Sequence, residues 1–229
     1  MSTRLRDRTG SSRWPRLLLG FVVGLSAAAE LAFAAELALA GEGAQAAEAA
    51  KPTLGAVGDF SLQDLHGQTV TQKHYRGCRA VVLFFLGTEC PVSNGYAPTM
   101  TELDRRYKKQ GVIVEGVYSE PSVTREAARA HAKEYSLDFP ISLDPEQVLA
   151  RQAGITITPE AVVLAADGKV LYRGRIDNRY SPEGKRRLEA TRHDLDAAIS
   201  AVLAGQTPPA VSTPAFGCPL PKRRAAPSQ

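Results

Sequence analysis

The stretch Ala80-Val81-Val82-Leu83-Phe84-Phe85-Leu86-Gly87-Thr88-Glu89-Cys90-Pro91-Val92-Ser93 decides how this chain is read. An unbroken apolar run rich in β-branched and aromatic residues describes a strand covered on both faces. The run stops at a cysteine, and the proline behind it suits the first position of a helix. Cys90 is therefore expected at a strand-to-helix junction. Unpaired amides and the positive end of the helix dipole favour an anion there, the nucleophilic form of a thiol. The neighbouring charge of Glu89 opposes it.

The chain ends bound the compartment. Arg4, Arg6, Arg8, Arg13 and Arg16 precede an apolar run from Leu17 to Leu25, followed by Ala32-Phe33-Ala34 and Ala38-Leu39-Ala40 as cleavage candidates. Residues 1–50 read as a signal peptide and linker, which predicts a periplasmic or secreted protein. Membrane attachment is expected only through an uncleaved segment Leu17 to Ala40, which Glu30 and Glu36 interrupt. The signal carries most of the excess behind the formal charge of +4, so the rest has no large basic excess to place on a phosphate backbone and no nucleic-acid partner is expected. Lys185-Arg186-Arg187 and Lys222-Arg223-Arg224 read as solvated charge runs.

Working outward from Cys90, Val92, Tyr96, Met100, Leu103 and Tyr107 recur at helical spacing, which predicts a helix interrupted by Pro98. Phe60 to Val70 reads as a hairpin turning at Gly67, and Val112 to Tyr118 as a second core strand. A helix is expected from about Ser122 to Tyr135, a short strand over Pro140 to Leu143, and a short helix from Pro145 to Ala153. A hairpin over Glu160 to Ala165 and Val170 to Arg175 turns at Asp167-Gly168. A last helix is expected from about Lys185 to Leu203, with Leu188, Leu195, Ala198 and Val202 inward. The domain is placed at 51–204 and a proline-rich tail carrying Cys218 at 205–229. The class is α/β, a mixed sheet covered on both faces.

Cys90, Ser93, Pro98 and Thr158-Pro159 resemble the thioredoxin superfamily, in the exported redoxin branch of AhpC/TSA and TlpA-like proteins. The resemblance implies a three-layer α/β/α sandwich from about Leu54 to Leu203, a nucleophile at Cys90 and a cis-proline at Pro159 facing it. It places Thr88, Pro91, Ser93, Thr158, Pro159 and Arg175 around a substrate groove. Ser93 stands where thioredoxin-like members carry their second cysteine. Relative to peroxiredoxins, Leu83 and Gly87 occupy the positions of the activating proline and threonine, and Thr158 the place of an arginine, so peroxidase chemistry ranks second.

Dithiol chemistry requires a second thiol to resolve the mixed disulfide. Cys78 lies at the far end of the buried strand, about 25 Å from Cys90 at the usual rise, whereas a disulfide needs Cα atoms within about 7 Å. Cys78 therefore reads as a small buried hydrophobe. Cys218 remains, in a tail with Phe216 as an apolar anchor and turn residues at Gly217 and Pro219. Its Gly-Cys-Pro context is similar to the ends of exported redoxins, which implies a resolving role. A permanent Cys90–Cys218 staple is the alternative; either would close a long loop, worth about 4 to 5 kcal/mol in the chain-entropy model.

His66, His74, His131 and His193 lack ligand spacing, so no metal or other cofactor is expected. The sequence thus supports a thiol-disulfide oxidoreductase using Cys90, with a protein thiol, disulfide or peroxide as substrate and a separate thiol as electron donor. A one-cysteine peroxidase and a redox-silent binding module are the other readings.

Overall fold

A computed structural model describes residues 54–181 and 185–222. The expected signal segment and Arg223-Arg224 lie outside them. The chain opens with an antiparallel hairpin of β1 (Ser61–Asp64) and β2 (Thr69–Thr71), turned at Gly67. β3 (Ala80–Leu86) follows, and all of it is buried, as its composition requires. Its end feeds helix α1 (Pro91–Tyr107), with Cys90 as N-cap and Pro91 at the first helical position.

β4 (Val112–Tyr118) and β5 (Ile141–Leu143) extend the sheet in parallel on one side of β3; β7 (Glu160–Leu164) and β8 (Val170–Gly174) extend it antiparallel on the other. The order is β2-β1-β5-β4-β3-β7-β8. Alternate residues of the central strands feed two cores. Val82, Phe84 and Val114 meet Met100 and Leu103 of α1, Ala128 of α2 (Arg125–Glu134), and Leu195 and Ile199 of α4 (Asp194–Leu203). Val81, Leu83, Phe85 and Val117 meet Tyr75, Phe60, and Leu149 and Ala153 of α3 (Val148–Ala153). The molecule is the expected thioredoxin-like sandwich with a mixed sheet.

Three expectations need correction. α1 runs through Pro98 as one helix, since exposed Pro98 removes one hydrogen bond while the buried stripe of Tyr96, Ala97, Met100 and Leu103 holds the helix on the sheet. α3 starts at Val148 rather than Pro145, because the buried Asp144 carboxylate accepts from the Val148 and Ala150 amides. α4 begins only at Asp194. Before it, Asn178 Oδ1 accepts from the Thr191 and Arg192 amides (2.9 and 3.0 Å), and Arg187 N donates to Arg179 O (2.8 Å), folding the segment back as a loop with Leu188 fully exposed.

The tail is lashed to the domain in two places. Thr213 N donates to Arg173 O (3.1 Å) and Arg173 N to Val211 O (3.0 Å), beside β8. The buried Thr213 hydroxyl meets the Tyr172 hydroxyl (2.6 Å) and accepts from Arg175 N (3.2 Å). Further on, β9 (Cys218–Pro219) pairs antiparallel with β6 (Ile157–Thr158). Leu220 N donates to Thr156 O (2.8 Å), and Gln147 Nε2 reaches Pro221 O (2.6 Å).

Candidate active site

Cys90 lies at the carboxyl end of β3, where parallel strands of an α/β sheet present their reactive groups. Its φ of −86° and ψ of 111° are those of an N-cap, and its carbonyl accepts from Asn94 N (3.0 Å). The side chain is 2% exposed, and its thiol donates to the Thr158 carbonyl at 3.1 Å. The Thr158-Pro159 peptide bond is cis, as the resemblance implied, and both residues are buried.

The β6–β9 register sets Cys218 opposite Thr158. This brings both cysteines to Thr158, whose carbonyl accepts from the Cys90 thiol, and neither thiol is bridged. The Cys218 thiol is pushed up to about 11, first by burial, then by the hydrogen bond and charge of Cys90 and the charge of Glu120. Cys78 sits half-buried against the other core, where burial raises its pKa.

Ser93 is buried, and its hydroxyl accepts from Gly87 N (3.3 Å), so it ties down the loop before the cysteine. Gly87 is closely overlaid: a Cβ there would lie 2.6 Å from Thr158 Oγ1 and 3.0 Å from Cys90 Cβ. Thr88 donates through both N–H (3.2 Å) and hydroxyl (3.0 Å) to Glu120 Oε2. Pro91 is exposed at the start of α1. Arg175, expected in the groove, is engaged by α4. Its Nε is 2.7 Å from Asp194 Oδ2, because the acidic first turn of α4 captures it.

Several residues escaped the sequence reading. Glu120 follows the carboxyl end of β4, the kind of place that singled out Cys90, but without a motif around it. Behind it, Tyr118 donates its hydroxyl to Nδ1 of buried His131 (2.6 Å), and His131 Nε2 donates to Asn94 Oδ1 (2.8 Å). Asn94 Nδ2 then donates to Thr88 O (3.4 Å). Burial lowers the His131 pKa, and the neutral ring satisfies both contacts with one donor and one acceptor nitrogen. Nothing in the spacing of the histidines signals this chain of contacts. Glu160, next to Pro159, is pushed up to about 7 by burial, against the pull of Arg173 and a hydrogen bond from the Thr156 backbone. Among the described residues, no group of three or more His, Cys, Asp or Glu side chains is placed to hold a metal ion, and no helix is long and apolar enough to cross a membrane.

Thiol-disulfide oxidoreductase ResA of Bacillus thuringiensis is 31% identical over 113 residues, 49% of this chain and 64% of the relative. ResA of Geobacillus thermodenitrificans is 34% identical over 113 residues, 49% of this chain and 63% of the relative. The match thus spans less than two thirds of these relatives. A hypothetical protein of Sinorhizobium meliloti superposes with a TM-score of 0.66 at 26% identity, covering 74% of this chain and 93% of that one. An uncharacterized conserved protein of Geobacillus kaustophilus superposes with a TM-score of 0.68 at 24% identity, over 76% and 94%. Residues 55–173, from the opening loop through the Cys90 junction and the Thr158-Pro159 bond to β8, match the AhpC/TSA family model, and the chain belongs to the AhpC/TSA family.

Proposed function

We propose that the protein is an exported thiol-disulfide oxidoreductase in which Cys90 is the nucleophile and Cys218 the resolving thiol. The observation that carries this reading is the pairing of Thr158 with Cys218, which sets the tail thiol beside a cysteine buried at the positive end of α1. Kinship with ResA-type thiol-disulfide oxidoreductases supports the same chemistry. Export rests on the basic and apolar pattern of residues 1–40.

The steps balance as two-electron exchange. The Cys90 thiolate attacks one sulfur of a substrate disulfide; a Cys90–substrate disulfide forms and a substrate thiolate leaves. Cys218 loses its proton and attacks Cys90 Sγ, releasing the second substrate thiolate and leaving a Cys90–Cys218 disulfide. An external dithiol returns two electrons. The contribution of Cys90 to holding the proton on Cys218 is lost once Cys90 is in the mixed disulfide. Burial, the larger cause, persists, so this loss eases resolution after attack only in part. Peroxidase chemistry stays the second reading, because Leu83, Gly87 and Thr158 stand where peroxiredoxins carry their activating residues.

The test is free-thiol titration with peptide mapping of the exported protein, before and after a mild dithiol reductant. A Cys90–Cys218 bond that forms and breaks reversibly is the expected result. A bond that resists the reductant makes it a staple, and two thiols that never pair refute the two-cysteine mechanism.

A further inference from the structure

The strand next to the thiol is already paired. β6 presents backbone at Ile157 and Thr158, and β9 of the chain's own tail lies along it as the second strand of a two-stranded sheet. An extended polypeptide adds itself to a protein by pairing with such a backbone edge. Here Cys218 occupies the position opposite Thr158 that the cysteine of an incoming peptide would need in order to meet Cys90.

The seat is built for this segment. A Cβ on Gly217 would lie 2.1 Å from Thr158 O and 2.7 Å from Thr158 C, both backbone atoms that cannot rotate away. Leu220 N and Pro221 O fasten the far side to Thr156 and Gln147.

We infer that β9 stands in for a bound polypeptide, so that the seated tail admits small disulfides to Cys90 and excludes disulfides carried on extended protein chains until it lifts. This rests on Cys90 being the reactive thiol. It makes the tail a specificity element as well as the carrier of Cys218.

The experiment isolates the first step in the full chain carrying Cys218→Ser, where reaction stops at the mixed disulfide and one thiolate leaves per Cys90. The rate is measured with the aromatic disulfide DTNB and with a synthetic peptide whose single cysteine, in an extended segment, is disulfide-linked to thionitrobenzoate. Adding Gly217→Val unseats β9. The ratio of peptide rate to DTNB rate should rise by about tenfold or more, since several backbone hydrogen bonds no longer compete. A peptide of residues 213–222 with serine at 218, supplied in trans, should bring the ratio back down, which also shows that the unseated protein retains its fold. An unchanged ratio, or no effect of the trans peptide, overturns the role of β9 while leaving thiol exchange standing. No reaction of Cys90 with either disulfide in any variant overturns both.

Discussion

The order of the two thiols makes a quantitative prediction about Cys218. Its thiol is moved from an ordinary value of 9.0 to about 11, with Cys90 among the causes and burial the largest. At pH 8 a thiol at 9.0 is about one tenth ionised and one at 11 about one thousandth, so wild-type Cys218 should alkylate about a hundredfold more slowly than an ordinary thiol. Its rate should climb about tenfold per pH unit through pH 9.5, where an ordinary thiol begins to level off. Cys90→Ala removes the charge and hydrogen bond of Cys90 but leaves much of the burial and the charge of Glu120. The Cys218 rate at pH 8 should then rise severalfold and still fall short of the ordinary rate. The assay is iodoacetamide alkylation of the reduced protein, with Cys218 quantified by peptide mass mapping. If wild-type Cys218 reacts as an ordinary thiol, or is unmoved by Cys90→Ala, the argument that Cys90 holds the proton on its partner is wrong.

Glu160 has a carboxyl raised from 4.5 to about 7 by burial, so its ionisation opposes folding. Its contribution is fully present below about pH 4.5 and is lost as pH rises through 7, a fall of about 2–3 kcal/mol. Urea unfolding at pH 5 and 7.5 should show Glu160→Gln removing that part of the decline; an identical decline in both proteins refutes the assignment. Ser93→Ala leaves the buried Gly87 N–H without its partner and should cost about 1–3 kcal/mol in denaturant unfolding, with an unchanged midpoint as the contrary result. Leu188→Ser should change stability by less than about 0.5 kcal/mol, because that side chain is fully exposed; a large loss would mean that it packs as an inward helical residue.

The junction at Cys90 was legible because two periodicities change there: an unbroken apolar strand ends and a helical stripe begins at a proline. Cis Pro159 was legible only through resemblance. The late start of α4 was not legible, because Leu188 falls on the helical phase of Leu195 and Val202, whereas the turn depends on Asn178, more than ten residues upstream, capturing the Thr191 and Arg192 amides. The partner of Arg175 was hidden for a similar reason: local sequence shows a cation near the site and not the Asp194 that pairs with it. Cys218 was singled out by eliminating Cys78 and by the resemblance of its Gly-Cys-Pro context, but the seat of Gly217 on the Thr158 carbonyl is a contact between distant segments that spacing cannot disclose.

The hold on Thr213 bears on the tail when β9 is unpaired. Its hydroxyl is shared between Tyr172 and Arg175 N, and its backbone is bonded to Arg173, so this attachment is separate from the β6–β9 pairing. From that fixed point the chain to Cys218 is short enough to span at most about 18 Å even when fully extended. A lifted Cys218 is therefore confined to a small volume around the Cys90 site, at an effective concentration on the order of millimolar or above. An outside thiol at micromolar concentration meets Cys90 far less often than the tethered one does. A mixed disulfide on Cys90 would thus be resolved within the chain, and a second molecule would be needed only to restore the two electrons.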